Sequence, residues 1–480
     1  MAVLIPKYQE VARQLEDKLR LGLLVAGDKL PSVRILSEEL KVSINTVQQA
    51  YYSLEADGLV EARPGSGYYA RPPVQRLPDV SRSTQLPVTA PLANSPDREL
   101  LLATIVRQQN LPGWLPFSMS VPAPDLLPVA KLTKALQQAQ REMPNAGTSY
   151  DDMQGNAALR RQIARYALFW GGQLTDDELV TTEGCTPALA LCLKALTRPG
   201  DTVAVESPAY FGILNIALSL GLNVLELPIC NEAGVDLDAL DEHLRAKRVQ
   251  VCLFVPNFSN PGGSCMPDAQ KQRLVQMLET YQIPLIEDDL YGDLHFASHR
   301  PKPCKAYDRS GLVLWCGSVS KTLAPGYRVG WVAPGRYLNK VIQLKRYQAG
   351  ISPGLTQQAV ANFLANDRYE LHLRRLRQTL QTNCQHYQRA IRTYFPESTR
   401  ISTPQGGFAL WVELEPDVNT LHLCEDLLPH KISIMPGNIF TLQPKYMHCM
   451  RLSYGLPYTE QVEAGLKQIG RSITARQPQF

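Results

Sequence analysis

Residues 312–331 read LVLWCGSVSKTLAPGYRVGW. An apolar run ends in Gly317-Ser318, and a lysine and an arginine follow at positions 321 and 328. A short apolar run bounded by glycine and proline predicts a buried strand. A surface lysine needs no such setting, so Ser318, Ser320, Lys321 and Arg328 are read with what the other strand ends carry.

The same rhythm extends upstream: LVTTEG (179–184), DTVAVES (201–207), NVLELPI (223–229), QVCLFVPN (250–257) and IPLIEDD (283–289). Helical stretches separate several of these runs, which predicts an α/β domain with a mostly parallel sheet. Ligands in such folds bind beyond the carboxyl ends of the strands. At the first of these ends, Gly184-Cys185-Thr186 turns and Pro187 opens a helix, whose free N–H groups and positive dipole suit a phosphate. Tyr210, in ESPAYFGI, either packs in the core or stacks on a flat ring. Asn260, in NFSNPGG, is a turn residue whose amide can also donate to a phenolate oxygen. Glu287, Asp288 and Asp289 end another apolar run, with Tyr291 next. No histidine or cysteine lies near enough in sequence for a mixed-ligand metal site, and no metal is assigned.

These groups assemble around one molecule, pyridoxal phosphate. That cofactor needs an amine for a Schiff base, an acid at its ring nitrogen and a phosphate cradle. Lys321 supplies the amine and Asp288 the acid. Gly184, Cys185, Thr186, Ser318, Ser320 and Arg328 form the cradle, with the arginine forking onto phosphate oxygens. Asn260 and Tyr291 reach the ring hydroxyl, and Tyr210 covers the ring face. The order of the segments resembles the fold-type I aminotransferases over roughly residues 110–480. The resemblance implies a large domain with a mixed, mostly parallel sheet and a smaller C-terminal α+β domain. It implies that Tyr150, in YDDMQGNAALRRQIARY, reaches the cofactor phosphate of a neighbouring subunit. It also implies that Arg451, in MRLSYG, grips a substrate carboxylate. Two segments depart from the family pattern: NPGG stands for NPTG, and GCTPAL for a glutamine-bearing turn.

The first seventy residues follow a different pattern. Tyr8, Val11, Ala12, Leu15 and Leu19 recur at helical spacing; Val33, Leu36 and Leu40 mark a second helix capped by Ser32. Ser43 caps a third helix with Val47, Ala50, Tyr51 and Leu54 on its buried face. Leu59–Arg63 and Tyr68–Ala70 read as strands around Pro64-Gly65-Ser66-Gly67, completing a winged helix-turn-helix. The third helix exposes Ile44, Asn45, Gln48, Gln49 and Tyr52, and the Asn and Gln amides match adenine in the major groove. Arg34 and Arg63 suit phosphates or a minor groove. Nine Lys/Arg balance nine Asp/Glu in residues 1–72, so the basic footprint usual for a DNA-binding domain is missing and a docking module competes with this reading. LPSVR, VSINTV, YYSLEADGLV and RPGSGYYA nevertheless resemble, in order and spacing, the DNA-binding domain of the GntR family of bacterial regulators. That resemblance implies DNA contacts at Arg34, Ser43, Asn45, Thr46 and Gly65. Ile44 stands where the family often has a basic residue.

Between the two parts, residues 71–98 are rich in proline and lose apolar periodicity, which predicts a linker. The expected organisation is a head at 1–72, a linker at 73–109 and an aminotransferase-like domain at 110–480. Together the parts resemble the MocR subgroup of GntR regulators. The resemblance implies a homodimer, each head lying over the partner's large domain, that binds a double-stranded DNA operator. It implies sensing of an amino acid or amine effector through an external aldimine at Lys321. An active aminotransferase with an appended DNA-binding head is the alternative. The chain of 480 residues has 44% hydrophobic and 20% charged residues, a net charge of +4 and ten cysteines without a CxxC pair. These values describe an ordinary globular chain with reduced thiols, expected in the cytoplasm. The opening residues turn polar after five positions, so no signal peptide is expected, and no apolar run is long enough for a membrane span.

Overall fold

The computed structural model describes residues 7–70 apart from 21–22, 26, 57–58 and 64–65, and residues 103–476 apart from 106, 108–110, 231–232, 349 and 366–367. Gly65, and the linker up to residue 102, lie outside the described residues. The chain separates into two compact units, Met1–Pro78 and Asp79–Phe480. No helix among the described residues is long and apolar enough to cross a membrane.

The first unit holds α1 (Lys7–Arg20), α2 (Val33–Glu39), α3 (Ile44–Ala56) and an antiparallel hairpin, β1 (Val60–Arg63) with β2 (Gly67–Ala70). Val11, Ala12 and Leu15 meet Leu36, Val47, Ala50, Tyr51 and Leu54 in one core. Both expected caps form: Ser32 Oγ accepts from Ile35 N at 3.3 Å and Ser43 Oγ from Thr46 N at 3.1 Å. Tyr51 locks α3 to the rest. Its ring stacks on Tyr68 of the hairpin at 4.5 Å, and its hydroxyl donates to Pro31 O at 2.5 Å.

The second unit is built on an eight-stranded sheet. Its strands are β4 (Val180–Thr182), β5 (Thr202–Ser207), β6 (Asn223–Cys230), β7 (Gly234–Val235), β8 (Val251–Phe254), β9 (Leu285–Asp288), β10 (Val313–Ser318) and β11 (Gly330–Ala333); a short β3 (Leu115–Pro116) lies outside this sheet. The order is β4-β11-β10-β9-β8-β5-β6-β7. β10, β9, β8, β5 and β6 run parallel in succession, while β11 and β7 reverse. Strands β5, β8, β9 and β10 are buried at every position, as their near-continuous apolar runs require of strands covered on both faces. A smaller sheet of β12 (Arg400–Ile401), β13 (Ala409–Glu413), β15 (Met435–Pro436) and β16 (Cys449–Ser453) makes the C-terminal α+β part, and β14 (Ile432–Ser433) pairs with β3.

The helix after β4 begins at Cys185, two residues earlier than the proline suggests. Gly184 caps it at φ +102°, a left-handed conformation that turns the chain sharply. Pro187 then falls within the first turn, where N–H groups have no intrahelical acceptor to lose.

Glu226 joins the two sheets' territories. Buried on β6, it accepts from Ser207 Oγ at 2.7 Å, Thr441 Oγ1 at 2.6 Å and Leu442 N at 2.6 Å. Glu226→Ala would remove this shared acceptor, at about 1–3 kcal/mol for each donor left unpaired. The expected outcome is a loss of about 1–3 kcal/mol or more, read as a lower urea midpoint for the second unit.

A candidate functional site at the strand ends

The carboxyl ends of β4, β5, β8, β9 and β10 open onto one cavity of about 360 Å³. Cys185, Thr186, Tyr210, Asn260, Asp288, Tyr291, Ser320, Lys321, Arg328 and Arg451 all line it, although they are spread over 267 positions of sequence, from 185 to 451. Gly184 sits at its rim. A Cβ at that position would come within 2.5 Å of the Arg328 guanidinium. Ser318 lies behind the wall: its hydroxyl donates to Val329 O at 2.8 Å and accepts from Ser320 N at 3.0 Å. Tyr150 does not line this cavity and is 92% exposed.

Asp288 owes its position to strand alternation. Glu287 and Asp289 point to the opposite face from Asp288. Glu287 accepts from Cys304 N at 2.6 Å and Lys305 N at 2.9 Å. Asp289 accepts from Arg300 at 2.5 Å, Trp315 Nε1 at 2.8 Å and Asn257 Nδ2 at 2.9 Å. Asp288 alone faces the cavity. Burial pushes its carboxyl up to about 6, opposed by hydrogen bonds from the Cys185 thiol and Leu290 N, each at 3.2 Å to Oδ1. It therefore remains largely ionised at neutral pH.

Lys321 follows β10 and donates to Ser120 O at 2.6 Å. Burial lowers its amine to about 8, and Arg451 and Arg328 add to the shift while Asp288 opposes it. Arg328, in the left-handed region at φ 53°, donates to Glu183 O at 2.8 Å beside the N-terminus of helix Cys185–Leu196. Arg451, on β16, is only 2% exposed. It donates to Asn260 Oδ1 at 3.0 Å and to Ser118 O, and its guanidinium lies 5.3 Å from the Phe440 ring. Its Nε has no partner, and no carboxylate pairs with it among the described residues. Burial lowers its pKa to about 10. Asn260 Nδ2 donates to Tyr291 OH at 3.2 Å, so the two residues act as one polar edge.

The segment Ser118–Val121 escaped sequence reasoning. Its carbonyls hold both Arg451 and Lys321, and its four residues all line the cavity. Phe211 and Met435 also line it unforeseen. A short irregular segment carries no periodicity, so no local signal marked it.

In the first unit, Arg34 and Asn45 are exposed. Ser43 and Thr46 hydroxyls bond each other at 2.8 Å, and Gln48 Nε2 donates to Tyr52 OH at 3.0 Å. Arg63 pairs with Glu61 at 2.7 Å and lies 4.2 Å from the Tyr69 ring centre, so its charge is partly spent within the hairpin.

Residues 116–469 match the family model of aminotransferase class I and II, and residues 7–69 that of the bacterial regulatory proteins of the gntR family. The chain is 38% identical over 475 residues to an uncharacterized HTH-type transcriptional regulator, YjiR, of Escherichia coli, covering 97% of this chain and 98% of that protein. It is 31% identical to a 2-aminoadipate transaminase of Thermus thermophilus over 78% of this chain and 93% of the relative. The crystal structure of the Thermus thermophilus alpha-aminoadipate aminotransferase LysN, complexed with N-(5'-phosphopyridoxyl)-L-leucine, superposes with a TM-score of 0.72 at 29% identity, covering 77% of this chain and 94% of that one.

An amine with a pKa of about 8 is roughly 10% neutral at pH 7, against about 0.03% for an unperturbed lysine. Reductive methylation followed by peptide mass spectrometry is expected to show Lys321 reactivity rising through a midpoint near pH 8, well below the surface lysines. Arg451→Ala removes a nearby positive charge and is expected to move that midpoint upward.

Proposed function

The chain belongs to the class I and II aminotransferases and is a GntR/MocR-family regulator, and from that premise we propose that it is a pyridoxal-phosphate-dependent transcriptional regulator that senses an amino acid or amine at Lys321. Arg451 carries this reading. A buried guanidinium without a counter-ion is costly to maintain, and a ligand carboxylate would compensate it. The same cavity holds an amine lowered toward neutrality, an ionised acid and a helix N-terminus flanked by an arginine.

The residues fit the cofactor. Thr186, Ser320, Arg328 and the first N–H groups of helix Cys185–Leu196 would hold the phosphate. Gly184 leaves the room there that a Cβ would fill. Asp288 keeps Oδ2 for a ring N–H, since its two donors both reach Oδ1. Asn260 and Tyr291 would meet the ring hydroxyl, and Tyr210 the ring face. When bound, the cofactor supplies an electrophilic carbon and an electron-withdrawing ring. Lys321 would hold the cofactor at that carbon, and Arg451 would orient a ligand by its carboxylate. The exposure of Tyr150 supports its reaching a neighbouring subunit in a homodimer. The head, 1–72, would bind a double-stranded operator through Arg34, Ser43, Asn45, Thr46, Gln48, Arg63 and Gly65. The linker, 73–109, would join it to the domain at 110–480.

A second reading, an active aminotransferase with a DNA-binding head, is favoured by one observation. Lys321 has the lowered pKa that a proton-shuttling base requires.

The visible spectrum of the purified protein tests both. Incubation with pyridoxal phosphate is expected to give an absorbance band that Lys321→Ala abolishes; its absence in the parent protein would sink the cofactor assignment. A ligand that shifts the band and leaves it stable supports the sensor. Conversion to the aminated cofactor, reversed by a keto acid, supports the enzyme. On DNA, Asn45→Ala is expected to cost about 1–3 kcal/mol and relax one base position. Arg34→Ala is expected to weaken all sequences alike and flatten the salt dependence.

A further inference from the structure

Helix α3, Ile44–Ala56, reads INTVQQAYYSLEA. It carries no lysine, arginine or histidine, and its one acid, Glu55, accepts from Ala62 N of the hairpin at 3.0 Å. The nearest cations in sequence are Lys41, in the turn before the helix, and Arg63 on β1, which pairs with Glu61. Val47, Ala50, Tyr51 and Leu54 face the core of the head. That leaves Ile44, Asn45, Gln49 and Tyr52 exposed and Gln48 half-buried. On the operator-binding role proposed above, on which this inference rests, this outer face meets the base edges.

Each base shows the major groove its own chemistry. Guanine offers two acceptors, which the donors of an arginine or lysine match, and cytosine offers an amino donor, which a carboxylate matches. The helix has no cation for the first, and its one carboxylate is already held by the hairpin. Asn45, Gln48 and Gln49 carry the paired donor and acceptor that match adenine. Gln48 spends one amide hydrogen on Tyr52 OH at 3.0 Å and keeps its oxygen and its other hydrogen. Ile44 is the apolar member of the face, 51% exposed one turn ahead of Gln48 on the same side. Its backbone is pinned, because Ser43 Oγ caps the first turn at Thr46 N and also bonds Thr46 Oγ1 at 2.8 Å. A β-branched side chain on a helix has one strongly preferred rotamer, so Ile44 projects a stiff apolar group. Thymine is the base that presents a methyl group to such a side chain.

We infer that Ile44 is a specificity-determining residue that reads the methyl group of a thymine in the major groove, and that the base pairs faced by α3 are A·T pairs. Ile44 takes the thymine, and Asn45 and the glutamines take the adenines. Guanines in the operator are confined to positions reached from outside α3, by Arg34, Lys41 or the hairpin.

The test starts from duplexes selected by the full-length protein out of a randomised pool at one fixed salt concentration. Each thymine of the selected site is then replaced in turn by uracil, which removes the methyl group and nothing else. One thymine in each half-site is expected to show binding weakened about fourfold by uracil, the loss of one methyl-sized apolar contact. Ile44→Ala is expected to bind the thymine and uracil duplexes alike at that position. Ile44→Arg supplies the missing cation and is expected, in a fresh selection, to bring guanine into the positions that α3 faces. A uracil scan without effect at any thymine would overturn the inference, as would a methyl preference that survives in Ile44→Ala. Both outcomes leave the operator-binding role intact, whereas failure to select any sequence would fall on that role instead. The scan on the parent protein needs no variant, and the thymine-to-uracil ratio is internal to each protein, so a weakened fold in Ile44→Ala does not obscure the result.

Discussion

Three carboxylates in a row, Glu287, Asp288 and Asp289, end a buried strand, and the site depends on how they are separated. None is more than 5% exposed. Three charges this close in an apolar interior would repel and be driven to neutrality. Strand alternation sends the outer two to one side, where backbone N–H groups take Glu287 and Arg300, Trp315 and Asn257 take Asp289. Arg300 then reaches Asp293 at 2.6 Å, fixing the turn that carries Tyr291. Asp288 is left with two donors on one oxygen and the cavity on the other. The structural acids thus buy the chemical one its orientation.

The strands were legible because burial on both faces demands unbroken apolar runs. Six of the eight strands in the large sheet are readable as such runs, and the ends of five of them, β4, β5, β8, β9 and β10, point to the site residues. β11 was not, because Gly330 to Ala333 directly follows the glycine-rich turn at Arg328 and reads as its continuation. Its antiparallel place between β10 and β4 makes the sheet mixed. The start of helix Cys185–Leu196 was displaced by a proline that belongs to the first turn but not to its first position. In the head, periodicity and cap residues together gave every helix, since Ser32 and Ser43 do locally what their types predict.

Contacts distant in sequence were beyond reach. Ser118 meets Arg451 across 333 positions, and Glu226 meets Leu442 across 216. Neither segment has a pattern that names its partner. The lowered pKa of Lys321 is of the same kind, arising from burial and from arginines 130 positions downstream and seven positions on. Residue type suggested an amine for chemistry; only packing explains why that amine is poised near neutrality.

A regulator must do more than bind: its ligand has to prefer one arrangement of the protein over another. Moving an equilibrium from 1:99 to 99:1 takes about 5.5 kcal/mol of differential affinity. On the proposed sensing role, a charge-assisted hydrogen bond from Arg451 to a ligand carboxylate would contribute about 1.5–3 kcal/mol, so other ligand contacts would have to supply the remainder. Arg451 lies on β16 of the small sheet. Glu226 tethers the loop that carries Phe440 to the large sheet, so a ligand held by Arg451 would act on a lobe already joined to the other through a buried carboxylate.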